Sequence, residues 1–311
     1  MEIHKGAHTF KPRKGTVVTI GTFDGVHVGH QKIIQRLVQS AKANDLESVV
    51  LTFFPHPRMV LQKDTTLKLI NTIDERARLL GNLGLDHLVI HPFTEAFSRY
   101  TADEYVKEIL VDALQAKRVI IGYDHRFGRN RNANITELRA YGEQYDFEVE
   151  EISKQELDDV AISSTKVRKA LEKGDIERGN SYLGVAFSIT GEVVKGKQIG
   201  RTLGYPTANI KVPETYKLIP AQGVYVVSAT IQDRVIYGMM NIGTNPTVGG
   251  TTQTIETYFF DFDQDLYGQT ITISLLKYIR GEAHFTSVDA LKEAMHKDAS
   301  ISKEFIATLQ K

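Results

Sequence analysis

Cysteine is absent from the 311 residues, which excludes disulfides and thiolate metal ligands and agrees with a reducing compartment. A surplus of either charge is also missing: Lys plus Arg number 38, Asp plus Glu number 38, and the formal net charge is zero. Broad nucleic-acid binding ordinarily leaves a basic excess, so no nucleic-acid partner is expected. No apolar run approaches the roughly 20 residues of a membrane span, and the opening Met-Glu-Ile-His-Lys lacks the apolar core of a signal peptide. Internal repeats and low-complexity segments are lacking too. These absences leave a soluble, cytoplasmic protein of about two domains, with no membrane partner. Its oligomeric state stays open between monomer and homo-oligomer.

What is present changes rhythm once. In the first half, strand-like runs at 16–20, 49–54, 88–90, 119–121 and 147–152 alternate with helical patterns at 31–43, 74–83 and 101–114. The last of these helices opens on the capping box Thr101-x-x-Glu104. Five strands separated by helices predict an α/β doubly wound parallel sheet, with ligands at the carboxyl ends of its strands. Beyond residue 184, strand-like runs at 189–194, 224–230, 235–241, 255–262 and 271–279 follow one another with Gly, Pro, Asn or Asp in the gaps. Consecutive strands without helices between them predict an antiparallel barrel or sandwich. From Ser287, a plausible N-cap, the chain returns to helix. The expected domains are 1–184 and 185–311.

The densest chemistry lies at Gly21-Thr22-Phe23-Asp24-Gly25-Val26-His27-Val28-Gly29-His30. A β-branched strand precedes it, and Ile33, Ile34, Leu37, Val38 and Ala41 follow on one helical stripe. The histidines therefore sit at a strand-to-helix turn, where free N–H groups and the helix dipole favour an anion. Two imidazoles there point to phosphate. A chance pair or half a metal site is the plainer alternative. A closed zinc site needs further ligands, and the other histidines are scattered along the sequence, so phosphate is favoured.

Other candidate segments fall at successive strand ends: Pro55-His56-Pro57, 122–128 with Asp124 and Phe127, and Ser163-Ser164-Thr165 with Arg168 at a further helix start. Singly they read as a stiff loop, a turn and an N-cap. Together they favour one site. A decoy lies at 191–198, which almost matches the Walker A pattern. Gln198 stands where a Mg²⁺-binding hydroxyl belongs, and Gly200, Gly204 and Pro206 deny it a following helix.

The His-x-Gly-His run resembles the signature of nucleotidyltransferases related to class I aminoacyl-tRNA synthetases. With Thr-Phe-Asp-Gly in front it resembles the bacterial FAD synthetases, bifunctional enzymes with an adenylyltransferase half and a riboflavin kinase half. That resemblance implies a Rossmann-like first domain in which Gly21, Phe23, Asp24, His27, His30, Ser164, Thr165 and Arg168 serve ATP, and His56, Asp124 and Phe127 lie on the flavin side. His125 stands where the family has Phe, and Asn132 where Gly is common.

The stretch from Gly191 through Gly200-Arg201-Thr202-Leu203-Gly204-Tyr205-Pro206-Thr207-Ala208-Asn209 is similar to the riboflavin kinase opening, with Tyr205 for Phe. It implies a barrel kinase domain binding ATP through Gly196, Lys197, Thr207 and Asn209. Thr207 and Asn209 would also hold Mg²⁺; alternation puts both on one face of a strand, and two oxygen ligands suit that ion. In register with the family's catalytic acid residue stands Glu256. The riboflavin 5′-hydroxyl is neutral, so a base there helps. FMN phosphate is already anionic, so adenylyl transfer needs charge relief from His27 and His30 rather than a strong base. Riboflavin, FMN and FAD are the implied substrates and products, with ATP used at two sites. An RNA-binding relative and a flavin-storage protein are the competing readings; the first lacks a basic domain, and the second has no use for two phosphate sites.

Overall fold

The computed structural model describes residues 1–123, 125–153, 162–196, 200, 203–247 and 250–309, without the side chains of 245–247 and 250–252. By compactness the chain divides into two units, Met1–Ser164 and Thr165–Lys311.

In the first unit, β1 (Glu2–Lys5), β2 (Thr16–Ile20), β3 (Glu47–Phe54), β4 (His87–Pro92), β5 (Ala116–Gly122) and β6 (Glu148–Ile152) form one sheet in the order β1-β4-β3-β2-β5-β6. Every pairing in it is parallel. Helices α1 (Val28–Ala43), α2 (Pro57–Leu61), α3 (Ile73–Asn82), α4 (Ala102–Glu104, running on as a π-helix over Tyr105–Ala113) and α5 (Ile135–Tyr145) connect the strands. Alternation along β2 feeds two cores. Val18 and Ile20 join Val49, Val119 and the α4 residues Val106 and Ile109, whereas Val17 joins Val50, Leu88 and the α1 residues Ile34 and Leu37. Both faces being covered explains why β2 is buried at all five positions. Each such aliphatic contributes about 1.5–3 kcal/mol by burial, which outweighs the modest helix propensities of the β-branched residues.

One strand escapes the sequence pattern. Glu2–Lys5 has Ile3 as its only apolar residue, and Ile3 is half exposed. It is an edge strand, held by β4 alone. The sheet grows from β2 in both directions, toward β3 and toward β5. This is the reversal of order at which a doubly wound sheet opens a crevice.

The second unit contains α6 (Ser164–Glu172, whose first residue closes the first unit), α7 (Ile176–Leu183), β7 (Ser188–Val194), β8 (Ala208–Lys211), β9 (Gly223–Ile231), β10 (Arg234–Thr247), β11 (Gly250–Phe259), β12 (Thr270–Arg280) and α8 (Val288–Leu309). The strands close into an antiparallel barrel, β10-β11-β8-β7-β12-β9, which resolves the choice between barrel and sandwich. β11 ends at Phe259 rather than running to 262, because Asp261 turns the chain at φ 51°. Ser287 Oγ accepts from the Ala290 N–H at 3.1 Å, so α8 starts where its cap predicts. Ala299 and Ile306 of α8 cover Tyr205, Met239 and Phe260 on the outside of the barrel. Helices α6 and α7 dock on the same unit: Ala221 N–H donates to Leu171 O at 3.1 Å, and the Asn180 amide bonds Leu275 O and Phe187 N–H at 2.9 and 2.7 Å. Gly191 to Val194, the start of the near-Walker run, is barrel strand rather than a phosphate loop.

Candidate active sites

The first site is built on the turn from β2 into α1. His27 is the N-cap of α1, with extended backbone, and its Nδ1 accepts from His30 N–H at 3.3 Å. That bond fills the Nδ1 lone pair, so the proton of a neutral His27 ring sits on Nε2. The His30 ring stacks on it, centroids 3.6 Å apart and 17° from parallel. Gly29 permits this: a Cβ there would stand 3.2 Å from His27 Nδ1. Burial pushes the His27 imidazole down to about 4, against the upward pull of the Asp24 charge. Burial also lowers His30 well below the usual range, with His27 and the Arg76 guanidinium pushing the same way. An edge of His30 remains accessible, yet its Nδ1 is buried with no hydrogen-bond partner among the described residues. Both shifts favour neutral rings, whose N–H groups are dipoles rather than full charges.

The loop in front of the histidines is held from beneath. Phe23 and Val26 have φ of 47° and 42°, a left-handed conformation that costs a non-glycine residue roughly 1–3 kcal/mol. Asp24 anchors it. Its carboxylate, fully buried, accepts from Ile70 N–H at 3.1 Å and Asn71 N–H at 3.3 Å and lies 3.5 Å from Arg76 Nη2. Thr52 Oγ1 donates to Thr22 O at 3.3 Å, and Gln31 Nε2 donates to Val26 O at 2.9 Å. Ser164 Oγ donates to Asp24 O at 2.9 Å. The sequence grouped Asp24 with the ATP-binding residues, but the structure places its side chain in the support of the loop. Arg76, Thr52 and Asn71 were missed, because no local pattern ties residues so far apart to the motif.

The remaining candidates divide. Gly21 N–H donates to Leu51 O at 3.1 Å, and the buried Phe23 ring meets His30 edge-on at 5.1 Å. His56 caps α2, its Nδ1 accepting from Arg58 N–H at 3.2 Å. Phe127, bridged to Ala133, is buried with its ring 5.7 Å from that of Tyr105, so most of its surface faces the core. Asn132 has φ −77°, which needs no glycine. Thr165 and Arg168 lie on α6, in the second unit. Asp124 and Lys197 lie outside the described residues.

The second site is on the barrel. Glu256 on β11 pairs with Asn209 of β8 on one side and Asn241 of β10 on the other. Thr207, two residues before Asn209, donates its Oγ1 proton to Glu256 Oε2 at 3.1 Å. Thr207, Asn209 and Glu256 are each partly exposed, while Ile255 and Thr257 on either side of Glu256 are buried. Gly196 abuts the Asn209 carboxamide so closely that a Cβ would collide with its Cγ, Oδ1 and Nδ2. Beyond Asn241, Glu282 Oε1 accepts from Thr244 N–H at 3.3 Å.

Residues 9–166 match the family model for FAD synthetase, and residues 183–306 match that for riboflavin kinase. The chain is 37% identical to the bifunctional riboflavin kinase/FMN adenylyltransferase of Buchnera aphidicola, covering 98% of this chain and 99% of the relative. Its namesakes in Escherichia coli and Listeria monocytogenes are each 36% identical, over 98% and 94% of this chain and 98% and 93% of theirs. A crystal structure from Streptococcus pneumoniae, described as a macrolide-efflux protein, is 32% identical with a TM-score of 0.86, covering 97% of this chain and 98% of that one. Among the described residues of this chain, no helix is long and apolar enough to cross a membrane. Two family matches in tandem and relatives matched end to end place the chain in the bifunctional riboflavin kinase/FMN adenylyltransferase family, transferases that make FMN from riboflavin and FAD from FMN.

Proposed function

We propose that riboflavin is phosphorylated at the barrel around Glu256 and that FMN is adenylylated at the parallel sheet around His27 and His30. The observation that carries this assignment is the Thr207–Glu256 hydrogen bond of 3.1 Å, which joins the two kinase motifs on one face of the barrel. Glu256 takes the proton of the riboflavin 5′-hydroxyl as that oxygen attacks the γ-phosphorus of ATP and ADP leaves. The donor set around it is hard oxygen, which fits Mg²⁺. Thr207 donates its hydroxyl hydrogen bond to Glu256, leaving hydroxyl lone pairs free for a cation beside the Asn209 amide oxygen. Mg²⁺, when bound, neutralises charge on the ATP phosphates.

At the sheet, the FMN phosphate attacks the α-phosphorus of ATP and pyrophosphate leaves. His27 and His30 lie at the N-terminus of α1, where backbone N–H groups and the helix dipole add to the imidazole donors. Their task is to stabilise charge in the transition state, where one such donor is typically worth about 10²–10³ in rate. Ser164, Thr165 and Arg168 would serve ATP, with His56, Asp124 and Phe127 toward the flavin. The chain works in the cytoplasm in this reading, as a monomer or homo-oligomer.

The test is a crossed pair of variants supplied with riboflavin and Mg-ATP, with FMN and FAD followed by chromatography. Glu256→Gln should slow riboflavin phosphorylation by roughly 10²-fold or more and leave FMN adenylylation near wild type. His27→Ala with His30→Ala should do the reverse, so that FMN accumulates. Equal loss of both activities in either variant would sink the assignment.

A further inference from the structure

The histidines that are scattered in sequence do not all stay apart in the fold. His4 of β1 and His87 of β4 meet at the edge of the parallel sheet, His4 Nε2 lying 3.2 Å from His87 Nδ1. Glu2 joins them: its Oε2 is 4.0 Å from His4 Nε2 and 3.9 Å from His87 Nδ1. We propose that Glu2, His4 and His87 form a binding site for a divalent transition-metal ion of the zinc type, which staples the edge strand β1 to the sheet.

Three arguments support it. The first is spacing. Ligand atoms about 2.0–2.1 Å from a tetrahedral zinc ion lie roughly 3.3 Å from each other. The two imidazole nitrogens already stand at that separation, and Glu2 Oε2, at 3.9 and 4.0 Å from them on a side chain 58% exposed, has room to move in by the roughly 0.6 Å that a tetrahedral site needs. The second is the chemistry of the set. Two imidazoles and one carboxylate, with no thiolate in the chain, suit zinc and its neighbours rather than the all-oxygen cations. A water would complete the four.

The third is the surrounding shell. Glu47 Oε1 lies 3.5 Å from His87 Nε2, a carboxylate beside the ring nitrogen that does not face His4. Carboxylates orient metal-bound histidines in this manner. Glu47 is itself fixed, its other oxygen accepting from Arg13 N–H at 2.9 Å and Lys14 N–H at 3.4 Å. Arg13 Nη2 bonds the second oxygen of Glu2 at 3.3 Å, leaving Oε2 for the ion. The Phe10 ring packs on both imidazoles, 4.8 Å from His4 and 5.1 Å from His87, and limits water on that side. Glu2, Glu47 and His87 all stand at the amino-terminal starts of their strands, away from the carboxyl ends where Gly21, His56 and Gly122 lie. The ion would therefore act on folding rather than on transfer chemistry.

The competing account is a plain N–H···N hydrogen bond between two neutral imidazoles, with no ion. The full chain, stripped of metal and free of nucleotide, should be titrated with Co²⁺ and then Zn²⁺. Uptake of one ion per chain, with the visible absorption of four-coordinate Co²⁺ and a rise in Tm, is the expected result. His4→Gln and the exposed Glu2→Gln should each weaken uptake at least tenfold, and Glu47→Gln by roughly 10–100-fold. The His27→Ala, His30→Ala variant should bind as wild type does. Absence of one-equivalent uptake, uptake indifferent to both His4→Gln and Glu2→Gln, or uptake lost with His27 and His30 would overturn the proposal.

Discussion

Single residues carry charge states here that their types do not announce. His27 and His91 are both held at about 4, each first by burial, with His8 adding to the effect at His91. In the unfolded chain both titrate near about 6.5. Between those values the unfolded state binds more protons, so stability should fall as pH drops from about 6.5 through 4. His91 Nδ1 accepts from Ala7 N–H at 3.1 Å, a bond that glutamine can mimic. Urea midpoints taken across this window should fall less steeply for His91→Gln than for wild type. Identical slopes would refute the buried neutral state. Asp24 is the other case. Asp24→Asn keeps the shape but removes the carboxylate charge 3.5 Å from the Arg76 guanidinium, which is 1% exposed. Removing one member of a buried pair typically costs about 3–5 kcal/mol. A large drop in stability should accompany loss of FMN adenylylation, while riboflavin phosphorylation persists; a variant as stable as wild type would show that Asp24 is no anchor. None of this was legible from the motif, because Asp24 and Arg76 are joined only by the fold.

At the scale of elements, the sequence was readable wherever burial on both faces or capping left a pattern. β2 and β3 announced themselves through β-branched runs, and Thr101-Glu104 through its box, which the structure closes in both directions. β1 left no pattern, being a charged edge strand. The π-winding of Tyr105–Ala113 was equally silent, since a helix of either winding shows a similar apolar stripe. β8 is only four residues long, so alternation at Thr207 and Asn209 rather than an apolar run marks it in the sequence. One departure from the family gains a reason: Tyr205, where Phe is usual, places its hydroxyl 2.6 Å from His296 Nδ1 on α8. Tyr205→Phe should therefore cost about 0.5–1.5 kcal/mol in denaturant unfolding and leave the packing of α8 intact. A change within error would mean that the bond adds nothing over water.

For the whole molecule, the open question is where the kinase half can be cut. The sequence places the boundary at 184/185, whereas Leu171 and Asn180 are hydrogen-bonded into the barrel unit. Val167, Leu171, Ile176 and Leu183 are buried in the described structure. A fragment of residues 165–311 is expected to be soluble and to phosphorylate riboflavin, and one of residues 186–311 to melt at lower temperature. Equal melting temperatures would put the boundary back at 184/185.

The pairing of β11 between β8 and β10 has a consequence of a different kind. Glu256 faces outward only because its neighbours Ile255 and Thr257 face inward. Side chains alternate with a period of two, so sliding β11 by one residue would bury the carboxylate and turn Ile255 or Thr257 outward. Such a misassembled barrel would keep nearly the same strand content and the same shape by scattering or circular dichroism. By the role proposed for Glu256, it would not phosphorylate riboflavin. On that proposal, kinase turnover per molecule counts correctly threaded barrels, a more discriminating audit of refolding than a spectroscopic measure of secondary structure.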